Sequence, residues 1–270
     1  VGSEMCIRDR LNIVKGFTFD KQRDNAESIH RQIEAMKLAF ADGRKYIADP
    51  RFMKTAVSDW LSDSYAEKRR SIICDQALMP EPIDVNSGGT VYLCSADSDG
   101  NMVSFIQSNY NGFGSGIVIP GRGISLNDRG HNFSMDTASD NCLGPRKKSY
   151  HTIIPGFLTK DGKAVGPFGV MGAFMQPQGQ LQVLLNTIDY HLNPQAALDA
   201  PRWQWIGGKT IEVEPEMPQE VIDGLRVRGH DIVVKGDIQT YGRGQIIWRS
   251  EAGVLVGGTE PRADGTVAAW

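Results

Sequence analysis

The sequence lacks any apolar run near the roughly 20 residues needed to cross a bilayer, so no helical membrane span is expected. It also lacks an excess of basic charge: 29 Lys and Arg face 32 Asp and Glu, a net charge of −3 over 270 residues. A nucleic-acid partner is therefore not expected, because nothing is available to neutralise a phosphate backbone. Cysteine is scarce and scattered, at positions 6, 74, 94 and 142, with no C-x-x-C pair. That excludes a disulfide scaffold and a zinc knuckle, predicts buried free thiols, and leans towards a cytoplasmic setting. Disorder is excluded by the 40% hydrophobic content and balanced charge.

Several familiar motifs are missing as well. Gly112-Phe113-Gly114-Ser115-Gly116 is not G-x-S-x-G, and neither it nor Gly121-Arg122-Gly123 extends to G-x-G-x-x-G. There is no P-loop. The histidines, at 30, 131, 151, 191 and 230, form no H-E-x-x-H and no pair along the chain, so each reads as a surface or satisfied polar residue rather than a ligand. Residues 1–10, VGSEMCIRDR, have neither a signal-peptide apolar core nor helical periodicity, and read as a non-native leader.

What is present is a sequence of periodic segments rich in glycine turns. Ile29, Ile33, Met36 and Phe40 recur on one helical face after a cap at Asp24 or Asn25, with Gly43 near the end. Ser64 and Glu67 form a capping box for a second helix through Tyr65, Arg69 and Ile72. Met79–Gly89 is a Pro-, Asn- and Gly-rich loop. The period then becomes two: Thr90–Asp97 and Met102–Ser108 flank the turn Asp99-Gly100, and further strand-like runs flank Pro120–Gly123 and Asp161-Gly162. Helices are predicted from Pro177 through Ile188, from Asn193-Pro194 to Ala200, and over Pro218–Arg228 before Gly229. Ile232–Lys235, Gln245–Arg249 and Val254–Gly257 complete a strand-rich end. The order implies an α+β layered domain rather than a βαβ array.

Thr90 stands where the loop becomes a strand, directly after Gly88-Gly89. A threonine in that place can be an N-terminal nucleophile, its hydroxyl activated by the α-amine that cleavage of the preceding bond sets free. Glycines suit such a bond, because its carbonyl must be approached closely. A Gly-Gly-Thr before a strand also serves as an ordinary turn.

The surrounding text resembles the C-terminal half of the γ-glutamyltransferase (γ-glutamyltranspeptidase) precursors, of the Ntn-hydrolase superfamily, over residues 11–270. The matching blocks are GGT at 88–90, DSDGNMVSF at 97–105, GFGSGIVIPGRGISLN at 112–127, LLNTIDYHLNPQAALDAPRW at 184–203 and GGTEPRADG at 257–265. The resemblance implies a four-layer αββα sandwich, here incomplete because the upstream part of the large subunit is absent. It implies self-cleavage between Gly89 and Thr90, dividing the chain into 11–89, the end of a large subunit, and 90–270, the small catalytic subunit. It implies a covalent acyl-enzyme and no cofactor. The expected partners are a small-molecule amide substrate and the chain's own large-subunit segment.

Carried over by position, Thr90 matches the nucleophile and Ser108 a threonine whose hydroxyl bonds near it. Gly172 and Ala173 match two glycines whose N–H groups form the oxyanion hole. The positions that read the acyl group depart from the family: Tyr110 replaces an asparagine, Arg129 a Gln or Glu, Asn132 an aspartate, and His151-Thr152 a serine pair. QSNYNGFGSG, LNDRG and HTIIPGF resemble instead the oxamate amidohydrolase and cephalosporin-acylase-like branch. Arg129 also fits a loop-bridging role, and Tyr110 core packing. Three readings stay open: a transferase or hydrolase of γ-glutamyl amides such as glutathione, an amidase for a small anionic acyl amide, and an inactive fragment with exposed apolar surface. Classical members of the family are often exported, so a periplasmic or secreted location is also open.

Overall fold

The computed structural model describes residues 2–80 and 89–270, with side chains from Ile7 onward except Gly89. Four helices come first: α1 (Gly2–Val14), α2 (Ala26–Tyr46), α3 (Val57–Trp60) and α4 (Asp63–Arg70). Strands β1 (Gly89–Ala96), β2 (Met102–Tyr110), β3 (Val118–Ile119), β4 (Ile124–Ser125), β5 (Gly156–Lys160) and β6 (Lys163–Met171) follow. Helices α5 (Met175–Ile188) and α6 (Pro194–Asp199), strands β7 (Trp203–Gly207) and β8 (Thr210–Val213), helix α7 (Gln219–Val227) and strands β9 (Asp231–Val234), β10 (Arg243–Arg249) and β11 (Leu255–Thr259) complete the chain. The contacts divide into two units, one of Val1–Val85, Asp128–Thr152 and Trp203–Gly236, the other of Asn86–Asn127, Ile153–Arg202 and Asp237–Trp270.

The second unit is layered. Its antiparallel sheet has the order β11-β10-β6-β5. Adjacent residues of a strand point to opposite faces, and β6 uses both. A Cβ on Gly179 of α5 would stand 2.6 Å from Val170 Cγ1, so α5 lies against the Val170 face. A Cβ on Gly169 would stand 2.8 Å from the Tyr92 ring, so the β1–β2 hairpin lies against the other. Helix, sheet and hairpin are three successive layers, the αββ part of the expected sandwich. The hairpin's outer face carries exposed Val91, Leu93, Val103 and Phe105.

In the first unit α2 is the core. Ile29, Ile33, Met36 and Phe40 are all 2% exposed or less, as the stripe requires, and Asn25 caps the helix by accepting the Ser28 N–H. The helix continues past Gly43 to Tyr46, with the Ile47 N–H closing on the Gly43 carbonyl. Ser62, not Ser64, caps α4, accepting the Tyr65 N–H. Strands β7 and β8 escaped the sequence reading because their residues are enclosed on both faces and do not alternate. The β8–α7–β9 crossover makes a parallel pair, so one βαβ unit does occur.

Two features differ from what the sequence pattern signals. Residues 2–14 form a helix, with Ile7, Ile13 and Val14 buried, although residues 1–10 show no helical period. The fit is poor in one respect: the enclosed Arg10 guanidinium lies over the Phe40 ring at 4.2 Å but finds no hydrogen-bond acceptor, a costly arrangement. The three thiols among the described side chains are free as expected, but Cys74 is exposed and Cys94 and Cys142 are half-buried, since they lie on loops and a surface hairpin.

Candidate active site

Thr90 is the second residue of β1 and is 6% exposed. Its Oγ1 donates to Ser108 Oγ at 2.9 Å, and the same Ser108 oxygen accepts the N–H of Tyr110 at 2.9 Å. The hairpin register slips here: Gly89 pairs with Tyr110 but Thr90 with Ser108. A bulge of this kind re-aims side chains at a strand end. Tyr110 absorbs the distortion with φ at +78°, a conformation bulky residues avoid unless their surroundings impose it. Its side chain is 4% exposed, so Tyr110 is both buried and strained.

Two contacts fix how β1 runs over β6. Tyr92 packs above Gly169, and Ser104, the strand partner of Cys94, donates to the Gly156 carbonyl at 2.7 Å. Gly156 pairs with Phe168, so moving back along β1 towards Thr90 follows β6 forward towards Met171. Beyond Met171 come Gly172, with φ at +141°, and Ala173, with φ at +48°. Their carbonyls receive the N–H groups of Met175 and Gln176 at 2.8 and 3.2 Å, which turns the chain into α5. A Cβ on Gly172 would stand 3.0 Å from Gly242 Cα. The left-handed alanine is admissible but disfavoured by about 1–2 kcal/mol.

Arg129, Asn132, His151 and Thr152 lie in the other unit, so the structure groups the predicted residues as Thr90, Ser108, Tyr110, Gly172 and Ala173 on one side and these four on the other. Arg129 and Asn132 bound a 3-10 turn, Arg129–Asn132. Ser149, two positions before His151, donates through Oγ to the Arg129 carbonyl at 2.8 Å. Burial, and then the positive charge of Arg129, push the His151 imidazole down to about 4. At neutral pH it is an uncharged ring, and its Nδ1 is enclosed without a hydrogen-bond partner. Thr152 is 4% exposed. Two polar residues that the sequence did not single out, Asp49 and Asn141, are buried among these segments.

A sequence model described as Gamma-glutamyltranspeptidase matches residues 2–270. The chain belongs to this family. It is 36% identical over 264 residues to the glutathione hydrolase-like YwrD proenzyme of Bacillus subtilis (strain 168), covering 94% of this chain and 50% of that protein. It is 33% identical over 272 residues to the oxamate amidohydrolase proenzyme of Klebsiella pneumoniae, covering 98% and 50%. Among solved structures, cephalosporin acylase from Bacillus halodurans superposes with a TM-score of 0.93 at 60% identity, over 100% of this chain and 49% of that one. A γ-glutamyltranspeptidase from Pseudomonas nitroreducens superposes with a TM-score of 0.59 at 27% identity, over 66% and 98%. The chain thus spans about half the length of the curated relatives it matches. The Ntn-hydrolase fold of the family is the fold seen here.

One cluster could in composition hold a metal: ligand atoms of His30, Glu34 and His230 lie within 4.8 Å of one another, all buried. The folded chain therefore does bring two histidines together, 200 positions apart, where the sequence showed no pair. Protein groups already satisfy most of the cluster, His230 Nδ1 being enclosed without a hydrogen-bond partner among the described residues. His30 Nε2 lies 2.8 Å from the Cys74 carbonyl and must donate to it, which leaves His30 Nδ1 to accept from His230 Nε2 at 2.7 Å. Lys37 Nζ donates to Glu34 Oε1 at 2.8 Å and to the Leu78 carbonyl at 3.0 Å. An ammonium already seated on the carboxylate opposes a second cation there. Among the described residues no helix is long and apolar enough to cross a membrane.

Proposed function

We propose that the full-length protein is a self-processing amidohydrolase whose nucleophile is Thr90, and that it acts on acyl amides bearing a carboxylate but no α-amino group. In the first step Thr90 Oγ1 attacks the Gly89 carbonyl carbon. The peptide C–N bond breaks, its nitrogen becomes the α-amine of Thr90, and water hydrolyses the ester to leave Gly89 as a carboxylate. The freed amine then serves as base. In turnover Thr90 Oγ1 attacks the substrate carbonyl, the amine departs with a proton, and water releases the acid. The N–H groups of Gly172 and Ala173 stabilise the oxyanion.

The observation that carries this reading is the Thr90–Ser108 hydroxyl bond at a strand-end bulge, with the neighbouring Tyr110 strained. It supports a threonine held for attack rather than an ordinary turn. The substrate class is carried by Arg129. In the family resemblance the acyl group meets this position, and an ammonium beside a guanidinium at about 4 Å is disfavoured by roughly 4 kcal/mol at an effective dielectric of 20. A carboxylate could instead take two hydrogen bonds from it. Burial is the main cause of the depressed His151 pKa, and the Arg129 charge adds to it in the sense that disfavours a second cation. The names of the acylase and oxamate amidohydrolase relatives point the same way; that of the glutathione hydrolase-like relative favours the γ-glutamyl reading instead.

Two synthetic substrates separate the readings. Glutaryl-p-nitroanilide and γ-glutamyl-p-nitroanilide differ only in the α-amino group. The full-length enzyme should show the higher kcat/KM for the glutaryl amide, and Arg129→Gln with Asn132→Asp should shift the ratio towards γ-glutamyl. A strong preference for the γ-glutamyl amide, unchanged in the double variant, would establish the transferase or glutathione-hydrolase reading.

A further inference from the structure

The two segments that bear Arg129, Asn132, His151 and Thr152 are joined by one buried side chain. Asn141 is 6% exposed, and its carboxamide spans the gap between them: Nδ2 donates to the Asn132 carbonyl at 2.7 Å and Oδ1 accepts the Tyr150 N–H at 2.9 Å. A carboxamide is rigid and planar, so the bridge fixes both the separation and the tilt of the two backbones it joins. Ser149 adds a second tie, through its hydroxyl, to the Arg129 carbonyl at 2.8 Å.

Asp49 anchors the same frame from α2's C-terminal side. It is 3% exposed and accepts the Lys148 N–H at 3.0 Å, the Arg51 N–H at 3.1 Å and two Arg51 guanidinium bonds at 3.1 and 2.7 Å. Arg51 in turn donates to the Arg146 carbonyl at 2.5 Å. Five of these eight bonds end on the backbone of 129–132 or 146–150, and the other three hold Arg51 to Asp49. Such bonds hold a loop's path without presenting chemistry of their own. Burying an amide and a carboxylate is costly unless they are hydrogen-bonded, and here both are bonded chiefly to these loops, so the loops' path and the two side chains' burial depend on each other.

We infer that Asn141, supported by Asp49, is a positioning residue for acyl recognition: it sets the spacing between the Arg129–Asn132 turn and the segment carrying His151 and Thr152. The inference rests on the proposed role of Arg129. Acyl selectivity is thereby governed in part from a buried residue that touches no substrate.

The test uses the full-length, self-cleaved enzyme and glutaryl-p-nitroanilide. Asn141→Asp keeps the acceptor for Tyr150 but turns the donor to Asn132 into a second oxygen. It should raise KM by about 10-fold, since displacements well below an ångström matter in a positioned site, while kcat stays within twofold and self-cleavage remains complete. In an Arg129→Gln background the same change should move KM by less than twofold, because residues acting through one another are not additive. If Asn141→Asp fails to fold, Ser149→Ala serves: it cuts a single bond at a half-buried position and should raise KM about threefold, again only when Arg129 is present. Equal KM effects in both backgrounds, or a fall in kcat with KM unchanged, would overturn the positioning role while leaving the Arg129 reading intact. An Arg129→Gln variant with wild-type KM would overturn both.

Discussion

The Thr90 hydroxyl donates to Ser108 Oγ at 2.9 Å across a direct strand pair, and at the adjoining bulge Tyr110 turns its N–H onto the same oxygen. Ser108 thus takes two donors and holds the threonine hydroxyl in one orientation. Removing it with Ser108→Ala leaves a nearly buried hydroxyl and an N–H without their acceptor, a loss of about 1–3 kcal/mol. Cleavage at Gly89-Thr90 and kcat should both slow by roughly 5- to 150-fold, since 1.4 kcal/mol is tenfold in rate. Ser108→Thr should retain both. Time-resolved mass spectrometry of the precursor and steady-state kinetics read the two effects.

Gly172 and Ala173 should respond in opposite ways. Ala173 already tolerates φ at +48°, so Ala173→Gly should fold and turn over normally, with a melting temperature at or slightly above wild type. Gly172→Val meets both a φ of +141° and Gly242 Cα at 3.0 Å from the new Cβ. It should lower kcat on the order of 100-fold by displacing an oxyanion donor. Normal turnover by Gly172→Val would remove this segment from the oxyanion site.

Two buried histidines and a half-buried one make the fold sensitive to acid. Burial lowers His30, pushes His151 down to about 4, and pushes His230 down to about 2. Each is therefore neutral when folded but free to take a proton near 6.5 when unfolded. The stability gained from the neutral rings is complete above 6.5 and is lost as pH falls below it, by up to about 1.4 kcal/mol per pH unit for each histidine titrating. Denaturant midpoints should fall between pH 6.5 and 4.5, and more shallowly in His30→Asn/His230→Asn. A double variant with the wild-type slope would assign the acid sensitivity elsewhere. The same depressed value predicts no inflection near 6.5 in KM for the glutaryl amide that could be traced to His151.

The hairpin, the α2 stripe, the turn glycines and the family blocks were legible in the sequence because each is local: a period of two or 3.6, or a short run of text. Thr90 was legible through Gly88-Gly89, although Gly88 and the loop before it lie outside the described residues. What was not legible is non-local or lacks a period. Trp203, Trp205 and Ile211 are buried on strands whose neighbours are also buried, so no alternation marks them. His30 and His230 meet only through the packing of α2 against the α7 end. Asn141 sits in a run of polar loop residues that looks like solvated turn, and its importance comes from two backbone groups 9 positions away on either side. No spacing rule identifies such a bridge.

The account stands or falls on Thr90 as the residue that cleaves the chain and then starts its small subunit. Intact-mass analysis of the complete precursor tests it directly. The wild type should yield a small subunit beginning Thr90-Val91-Tyr92, and Thr90→Ala should remain one uncut, folded and inactive chain. A wild-type protein that hydrolyses amides while still uncut, or a Thr90→Ala protein that cleaves at the same bond, would contradict it.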